Sequence, residues 1–192
     1  SIQGDPKRKF STRPQMERDE WQKFCEKISE LGKYLEDQGM PLAYHHHMGT
    51  VIETQKDTER LIENTHESVK LTLDTGHMLF AKGDSKSILQ NYHERILHVH
   101  CKDIRKQVLE KSLKEDLSFR GAFLEGAFTV PGDGCIDYQP LFNVLKNNNY
   151  SGWLVVEAEQ DPAKANPLEY AKIGYNYLTD TLKKSEIEIY KN

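Results

Sequence analysis

The fold of this chain is best predicted from one stretch, Pro41-Leu42-Ala43-Tyr44-His45-His46-His47-Met48-Gly49-Thr50. An apolar segment leads directly into three consecutive histidines, which indicates a short buried strand with polar side chains at its carboxyl end. Because side chains alternate along a strand, we expect His45 and His47 on one face and His46 on the other. Two converging imidazoles indicate a metal or polar-substrate site, or else a set of hydrogen-bonded histidines that join strand and loop.

Three further segments have the pattern of buried strands, and helical patterns separate them. The predicted strands cover residues 42–47, 69–74, 96–100 and 153–157. The predicted helices cover about 16–38, 57–64, 85–92, 105–113 and 138–146, and a last helix opens at Asp161-Pro162. This alternation, at about thirty residues per unit, predicts parallel βα architecture, which fits both a doubly wound sheet and a (β/α)8 barrel.

The bulk properties exclude several classes of protein. At 192 residues the chain has the size of a single domain, 1–192. A formal net charge of −4 without a long basic block disfavours a nucleic-acid partner. No apolar stretch of about eighteen residues predicts a membrane span, and the first residues lack the pattern of a signal peptide. The widely spaced Cys25, Cys101 and Cys135 form no CxxC pair, so we expect free thiols and a cytoplasmic location.

Each of the four predicted strands ends in side chains that can bind a metal. These side chains are His45 and His47, Asp74 and His77, His98 and His100, and Glu157 and Glu159. In a (β/α)8 barrel the carboxyl ends of the strands meet at one mouth, where active sites of that fold lie. A mixed set of imidazoles and carboxylates favours a first-row divalent ion, such as Mn, Co, Fe or Zn, over Ca or Mg.

Other polar residues could be solvent-exposed and have no function in a site. Lys102, Asp103 and Arg105 lie just after the third strand, where they could bind an anionic or polyhydroxyl substrate or belong to a solvated loop. We interpret Glu53, Glu59 and Glu63 as a solvent-exposed helix face. The chain contains no GxGxxG or GxxxxGKS element, so nucleotide binding is unsupported.

Five motifs resemble those of the xylose-isomerase-like TIM barrels, which include sugar isomerases, epimerases and the endonuclease IV group. Within that superfamily they resemble the inosose dehydratases, which act on 2-keto-myo-inositol in bacterial inositol catabolism. The motifs are YHHHMGT at 44–50, DTGH at 74–77, HVHCKDIR at 98–105, FTVPGDG at 128–134 and WLVVEAEQDP at 153–162.

The resemblance implies a metal ligand set. The superfamily holds its metal with a Glu, an Asp, a His and a Glu from four late strands. Asp74, His100 and Glu157 match the last three places, and His45 stands at the first place, where the isomerases have Glu. The implied cofactor is a divalent metal, Mn or Co in the first instance, with Zn and Fe as alternatives.

The implied reaction is loss of water from a small polyhydroxylated cyclic ketone. It needs a base, for which Glu157 or Glu159 is expected, and an acid, for which His47 or His77 is expected. Lys102 is expected to polarise a substrate oxygen.

Substrate binding is expected at His46, His77 and Arg105. His77 and Arg105 match positions that contact substrate hydroxyls in the isomerases and epimerases.

Barrels of this type need on the order of 250 residues, so we expect this chain to correspond to the C-terminal half, about strands 4 to 8. Open strand edges then favour a homo-oligomer. Two alternative functions stay open: a metal-dependent sugar isomerase or epimerase, and an inactive half-barrel that serves in binding or oligomerisation.

Overall fold

The structure, a computed structural model that describes residues 1–189, is organised around one parallel sheet. The strands are β1 Leu42–His45, β2 Val69–Asp74, β3 Ile96–Cys101, β4 Asp103–Ile104, β5 Phe128–Thr129 and β6 Trp153–Val156. Strands β1, β2, β3 and β6 pair side by side in that order, and every pairing is parallel. The predicted parallel βα architecture is therefore confirmed.

Helices precede, connect and follow the strands. They are α1 Arg18–Asp37, α2 Gln55–Asn64, α3 Thr75–Phe80, α4 Ser85–Tyr92, α5 Lys106–Lys114, α6 Phe119–Leu124, α7 Gln139–Asn147 and α8 Pro167–Lys184. Single 3₁₀ turns lie at Phe10–Thr12 and His93–Arg95. Side-chain caps begin α2 and α4, where the oxygens of Thr54 and Asp84 accept backbone N–H groups of the first turn.

Several boundaries differ from the sequence prediction, among them the end of β1 and the start of α8. Strand β1 ends at His45, so His46 and His47 lie beyond the strand. The last helix begins at Pro167 and not at the predicted Asp161-Pro162. The reason is local: the side chain of Asn166 accepts the N–H groups of the first turn, and proline is well tolerated at the first helical position.

The sheet register places the polar strand ends side by side. His45 pairs with Thr72, and His100 pairs with Asp74 on one side and Val155 on the other. Glu157 follows two residues after Val155 and so projects from the same face. Because the four strands run in one direction, their carboxyl ends form a single edge of the sheet.

The main core lies between the sheet and helices α4, α7 and α8. Leu71 and Leu73 from β2 pack there with Ile88, Phe142 and Leu178. Strand β2 is almost wholly buried, whereas the outer strands β1 and β6 are half-buried or exposed. Among residues 1–189, no helix combines the length and the apolar character that a membrane crossing requires.

Candidate metal and catalytic centre

Four side chains converge at the carboxyl edge of the sheet: His45, Asp74, His100 and Glu157. One potential ligand atom from each residue lies within 4.8 Å of the others. Oδ2 of Asp74 is 3.2 Å from Nε2 of His45 and 3.7 Å from Nδ1 of His100. These are the four residues for which the sequence predicted metal binding, and the fold brings all of them together. We call them the metal group.

The atoms of the metal group fit a divalent first-row ion. Two imidazole nitrogens and two carboxylate oxygens form the mixed donor set that such ions prefer. Nδ1 of His100 and Oε2 of Glu157 are 2.8 Å apart, yet both atoms are buried and lack hydrogen-bond geometry to any described residue. A buried polar atom without a hydrogen bond needs a further partner, and a bound ion would supply one. The carboxylates of Asp74 and Glu157 raise the pKa of His100 to about 9, so an ion bound there would displace its proton.

A second group lies beside the first and consists of His47, His77 and Glu159. Its potential ligand atoms also lie within 4.8 Å of one another. Nε2 of His77 is 3.2 Å from Oε2 of Glu159, and Nε2 of His47 is 3.5 Å from Oε1 of the same carboxylate. We call these three residues the proton group, because the sequence assigned all three to acid–base roles.

The charge states within the proton group differ. Burial lowers the pKa of His77 to about 4, so its ring is neutral near pH 7. Burial acts to raise the pKa of Glu159, but His47, His77 and Lys102 together hold it well below the usual range. Glu159 is therefore ionised. Nδ1 of His47 lies 2.9 Å from the carbonyl oxygen of Met48, which fixes one edge of its ring.

Lys102 lies between the two groups and is fully buried. Its Nζ contacts Asp74 and Glu157 at 3.1 and 3.2 Å, and Glu159 and His77 at 2.8 and 2.9 Å. Burial acts to lower the pKa of Lys102, but the three carboxylates outweigh it and raise the pKa above the ordinary value. The ammonium is thus the cation that these carboxylates share.

His46 lies behind the metal group and not with it. Its ring is fully buried, and Nε2 accepts the backbone N–H of Asp74 at 3.2 Å. Burial lowers the pKa of His46 to about 3, so the ring stays neutral. The ring thereby positions Asp74, and a contact between His46 and a substrate stays a prediction.

Arg105 is engaged elsewhere as well. Its guanidinium donates to the carbonyl oxygen of Gly126 at 2.8 Å and to the side chains of Thr129 and Asp133 at 3.1 and 2.6 Å. In the part of the chain that the structure describes, Arg105 has no hydrogen bond or ion pair with the metal group or the proton group. These contacts fasten the loop around β5, and the role of Arg105 in substrate binding stays a prediction.

Two supporting features escaped sequence analysis. Glu53 was expected on a solvent-exposed face, but it is buried, and its carboxylate accepts the N–H of Gly49 at 2.6 Å and pairs with Arg13 at 3.5 Å. It thereby orders the turn that follows the histidines. The hydroxyl groups of Thr75 and Tyr138 donate to the carbonyl oxygen of Lys102. The glycine at position 49, which adopts a positive φ, is the local sequence signal of this turn, whereas the other partners are distant in sequence.

Comparison with known proteins agrees with this architecture. Residues 5–181 match the family model described as the xylose isomerase-like TIM barrel. The chain therefore belongs to the xylose isomerase-like TIM barrel family. A crystal structure of the IOLI protein with a bound zinc atom has a TM-score of 0.67 and 20% sequence identity, and the match covers 91% of this chain and 60% of that one. At this identity the likeness shows the fold alone.

Two curated relatives are more similar in sequence. The inosose dehydratase of Clostridium beijerinckii is 50% identical over 163 residues, which cover 84% of this chain and 55% of that protein. The inosose dehydratase of Halalkalibacterium halodurans is 46% identical over 183 residues, which cover 95% of this chain and 60% of that protein. The chain thus spans little more than half the length of these relatives.

Proposed function

We propose that this chain carries the active site of a metal-dependent hydro-lyase that removes water from 2-keto-myo-inositol and yields a trihydroxycyclohexane-dione. The observation that carries the proposal is the meeting of the metal group and the proton group at one sheet edge, with Lys102 between them. The identity to two inosose dehydratases supports the substrate. The small cyclic ketone as partner and the cytoplasmic location stay predictions from sequence.

His45, Asp74, His100 and Glu157 are the proposed ligands of a divalent ion, with Mn or Co as the proposed metal. When bound, the ion would supply a Lewis acid that polarises the ketone and acidifies the neighbouring C–H. The IOLI protein, which shares the fold, binds a zinc atom.

The proposed base is Glu159 and the proposed acid is His47. Glu159 is ionised and would take the hydrogen from the carbon beside the ketone. His47 lies 3.5 Å from the same carboxylate and is less buried than His77, so its Nε2 can reach the leaving hydroxyl and protonate it. Loss of water leaves an enol at the carbon that lost its hydrogen, and tautomerisation of that enol gives the dione.

His77 and Lys102 have different proposed roles. The neutral ring of His77 accepts the hydrogen bond from Lys102, so it binds and orients and does not act as the acid. The ammonium of Lys102 stabilises negative charge that develops on the substrate oxygen. Glu157 is proposed as a ligand and not as the base, because its carboxylate belongs to the metal group.

We also propose that residues 1–192 form one domain that corresponds to the C-terminal half of a barrel, about strands 4 to 8. The half-buried outer strands β1 and β6 support this, as do the large exposed side chains of Met40 beside β1 and Trp153 on β6. Further strands, such as those of a second copy in a homo-oligomer, would cover these edges. Light scattering measures the association, which Trp153→Glu is expected to weaken.

The decisive experiment is incubation of the purified protein with 2-keto-myo-inositol and Mn²⁺, followed by the ultraviolet absorbance of the dione. Glu159→Gln is expected to lower the rate by at least a hundredfold, because the amide cannot take a proton. Glu169→Gln, an exposed residue of α8, is the matched control and should retain full activity. Exchange of solvent hydrogen into the ketone without loss of water would instead indicate an isomerase or epimerase, and failure to bind Mn²⁺ would indicate an inactive module.

A further inference from the structure

Lys102 is a buried cation in contact with two adjacent groups of metal-binding side chains. Its Nζ lies 3.1 and 3.2 Å from Asp74 and Glu157 of the metal group. The same atom lies 2.8 and 2.9 Å from Glu159 and His77 of the proton group. A fully buried lysine is rare in proteins unless its charge is paired, and here three carboxylates pair it.

The fold holds this lysine in one position. The hydroxyl of Thr75 donates to the carbonyl oxygen of Lys102 at 2.7 Å and accepts its N–H at 3.2 Å, and Tyr138 donates to the same carbonyl at 2.9 Å. The stem passes directly over Gly76, where an added Cβ would lie 2.7 Å from Cγ of Lys102. Nζ ends 5.4 Å from the centre of the Phe128 ring. The ammonium is thus fixed on the backbone side and along the stem.

The proton group has the donor atoms for a second divalent ion but not the space. His47, His77 and Glu159 offer two imidazole nitrogens and a carboxylate oxygen, which is a common set of three protein ligands. A metal bound there would lie about 2.0–2.2 Å from each donor. Nζ of Lys102 lies 2.8 and 2.9 Å from two of those donors, nearer than the 3.1 and 3.2 Å to the carboxylates of the metal group, so the ammonium and a second ion would compete for the lone pairs of the proton group.

The balance of charge in the centre also disfavours a second divalent ion. Asp74, Glu157 and Glu159 bring three negative charges to the centre. One divalent ion together with the ammonium of Lys102 balances them, whereas two divalent ions and the ammonium leave a buried positive excess. Removal of the ammonium would free the donors of the proton group and reduce that positive excess from two charges to one.

We propose that Lys102 occupies the position of a second metal ion and thereby keeps the centre mononuclear. The ammonium binds the donors of the proton group, and His77 and Glu159 remain free of metal for their work on the substrate. This inference rests on the proposed function, because it takes the metal group as the site of the first ion.

The test counts bound ions and does not depend on activity. Equilibrium dialysis against Mn²⁺, with elemental analysis of the protein, is expected to give one ion per chain for the unaltered protein and two for Lys102→Met. Methionine matches the unbranched stem of lysine and lacks the ammonium and its charge. Lys172→Met, at an exposed position of α8, is the matched control and should give one ion per chain.

The double variant Lys102→Met/Glu159→Gln locates the second ion and should return the count to one. Two ions in the unaltered protein, one ion in Lys102→Met, or two ions in the double variant would each overturn the inference and leave the proposed function intact. Absence of Mn²⁺ from the unaltered protein would overturn the proposed metal group itself. Far-UV circular dichroism checks the fold of Lys102→Met, and Lys102→Gln serves as a second neutral variant.

Discussion

Replacement of Asp103 by alanine is expected to cost a large part of the stability of this chain. Asp103 follows Lys102 directly and is buried in β4. Its Oδ1 accepts three backbone N–H groups, from Ile104 at 2.7 Å and from Cys135 and Ile136 at 2.9 Å each. Two of these donors lie more than thirty residues further along the chain. One oxygen therefore joins β4 to the segment that leads into α7.

The magnitude follows from the number of donors that lose their acceptor. A hydrogen bond to a charged group contributes about 1.5–3 kcal/mol, so three of them set an upper range of about 5–9 kcal/mol. The N–H of Cys135 also donates to the carbonyl oxygen of Ile104 at 3.0 Å, and water that enters beside the exposed Cys135 would satisfy a further part of the loss. We therefore expect Asp103→Ala to lower the free energy of unfolding by about 3–5 kcal/mol, a large share of the total of about 5–15 kcal/mol for a domain.

Asp103→Asn keeps the oxygen that accepts the hydrogen bonds and removes the negative charge. Burial raises the pKa of Asp103, and the backbone N–H groups oppose that rise only in part. The charge is thus a net cost in this position, while the asparagine oxygen can still accept the three N–H groups. The loss for Asp103→Asn should be about half of that for Asp103→Ala.

Urea unfolding at pH 7, followed by tryptophan fluorescence and by circular dichroism, measures both losses. Asp180→Ala, at an exposed position with a single ion pair to Lys183, is the matched control and should cost less than about 0.5 kcal/mol. A loss below about 1 kcal/mol for Asp103→Ala, or equal losses for the two Asp103 variants, would refute the reasoning.

Three further outcomes are expected. Mn²⁺ at about a hundred times its Kd should stabilise the protein by about 2.7 kcal/mol and raise the unfolding temperature by about 5–10 °C. His45→Ala should lose most of this rise and the exposed His93→Ala none of it; equal rises would refute the metal group. Phe142→Ala should cost about 3–5 kcal/mol in urea unfolding because the side chain is fully buried, and Leu168→Ala, which is mostly exposed, less than about 1 kcal/mol. Arg105→Met should lower the free energy of unfolding by about 2 kcal/mol, because the hydrogen bonds of Arg105 fasten the β5 loop. A change in activity with unaltered stability would instead indicate that Arg105 binds the substrate.

The long elements were predictable because their patterns are local. The alternation of apolar residues marked β2 at its observed bounds, and helical periodicity marked α1 to within about two residues at each end. Helices α3 and α6 were missed because each has six residues and most of α3 is buried on all sides, which removes the amphipathic signal. Strands β4 and β5 have two residues each and exist only because they pair with each other.

The candidate site also has features that the sequence predicted and features that it did not. Sequence alone determined which side chains stand at the strand ends, and parallel strands necessarily bring those ends to one edge. Tertiary structure decided which of the nearby side chains face that edge. Arg105, for example, is engaged by the β5 loop, and the ring of His46 accepts the backbone N–H of Asp74.

The chemistry at the edge thus has two origins. The sequence by itself determined the donors, imidazoles and carboxylates at the ends of four strands, because strand periodicity and side-chain type are local properties. Only the tertiary structure decided that Lys102 places one ammonium between Asp74 and Glu159, residues that lie 85 positions apart. That contact depends on the register of neighbouring strands and on the packing of Lys102 against Gly76. A local sequence pattern predicts neither of these.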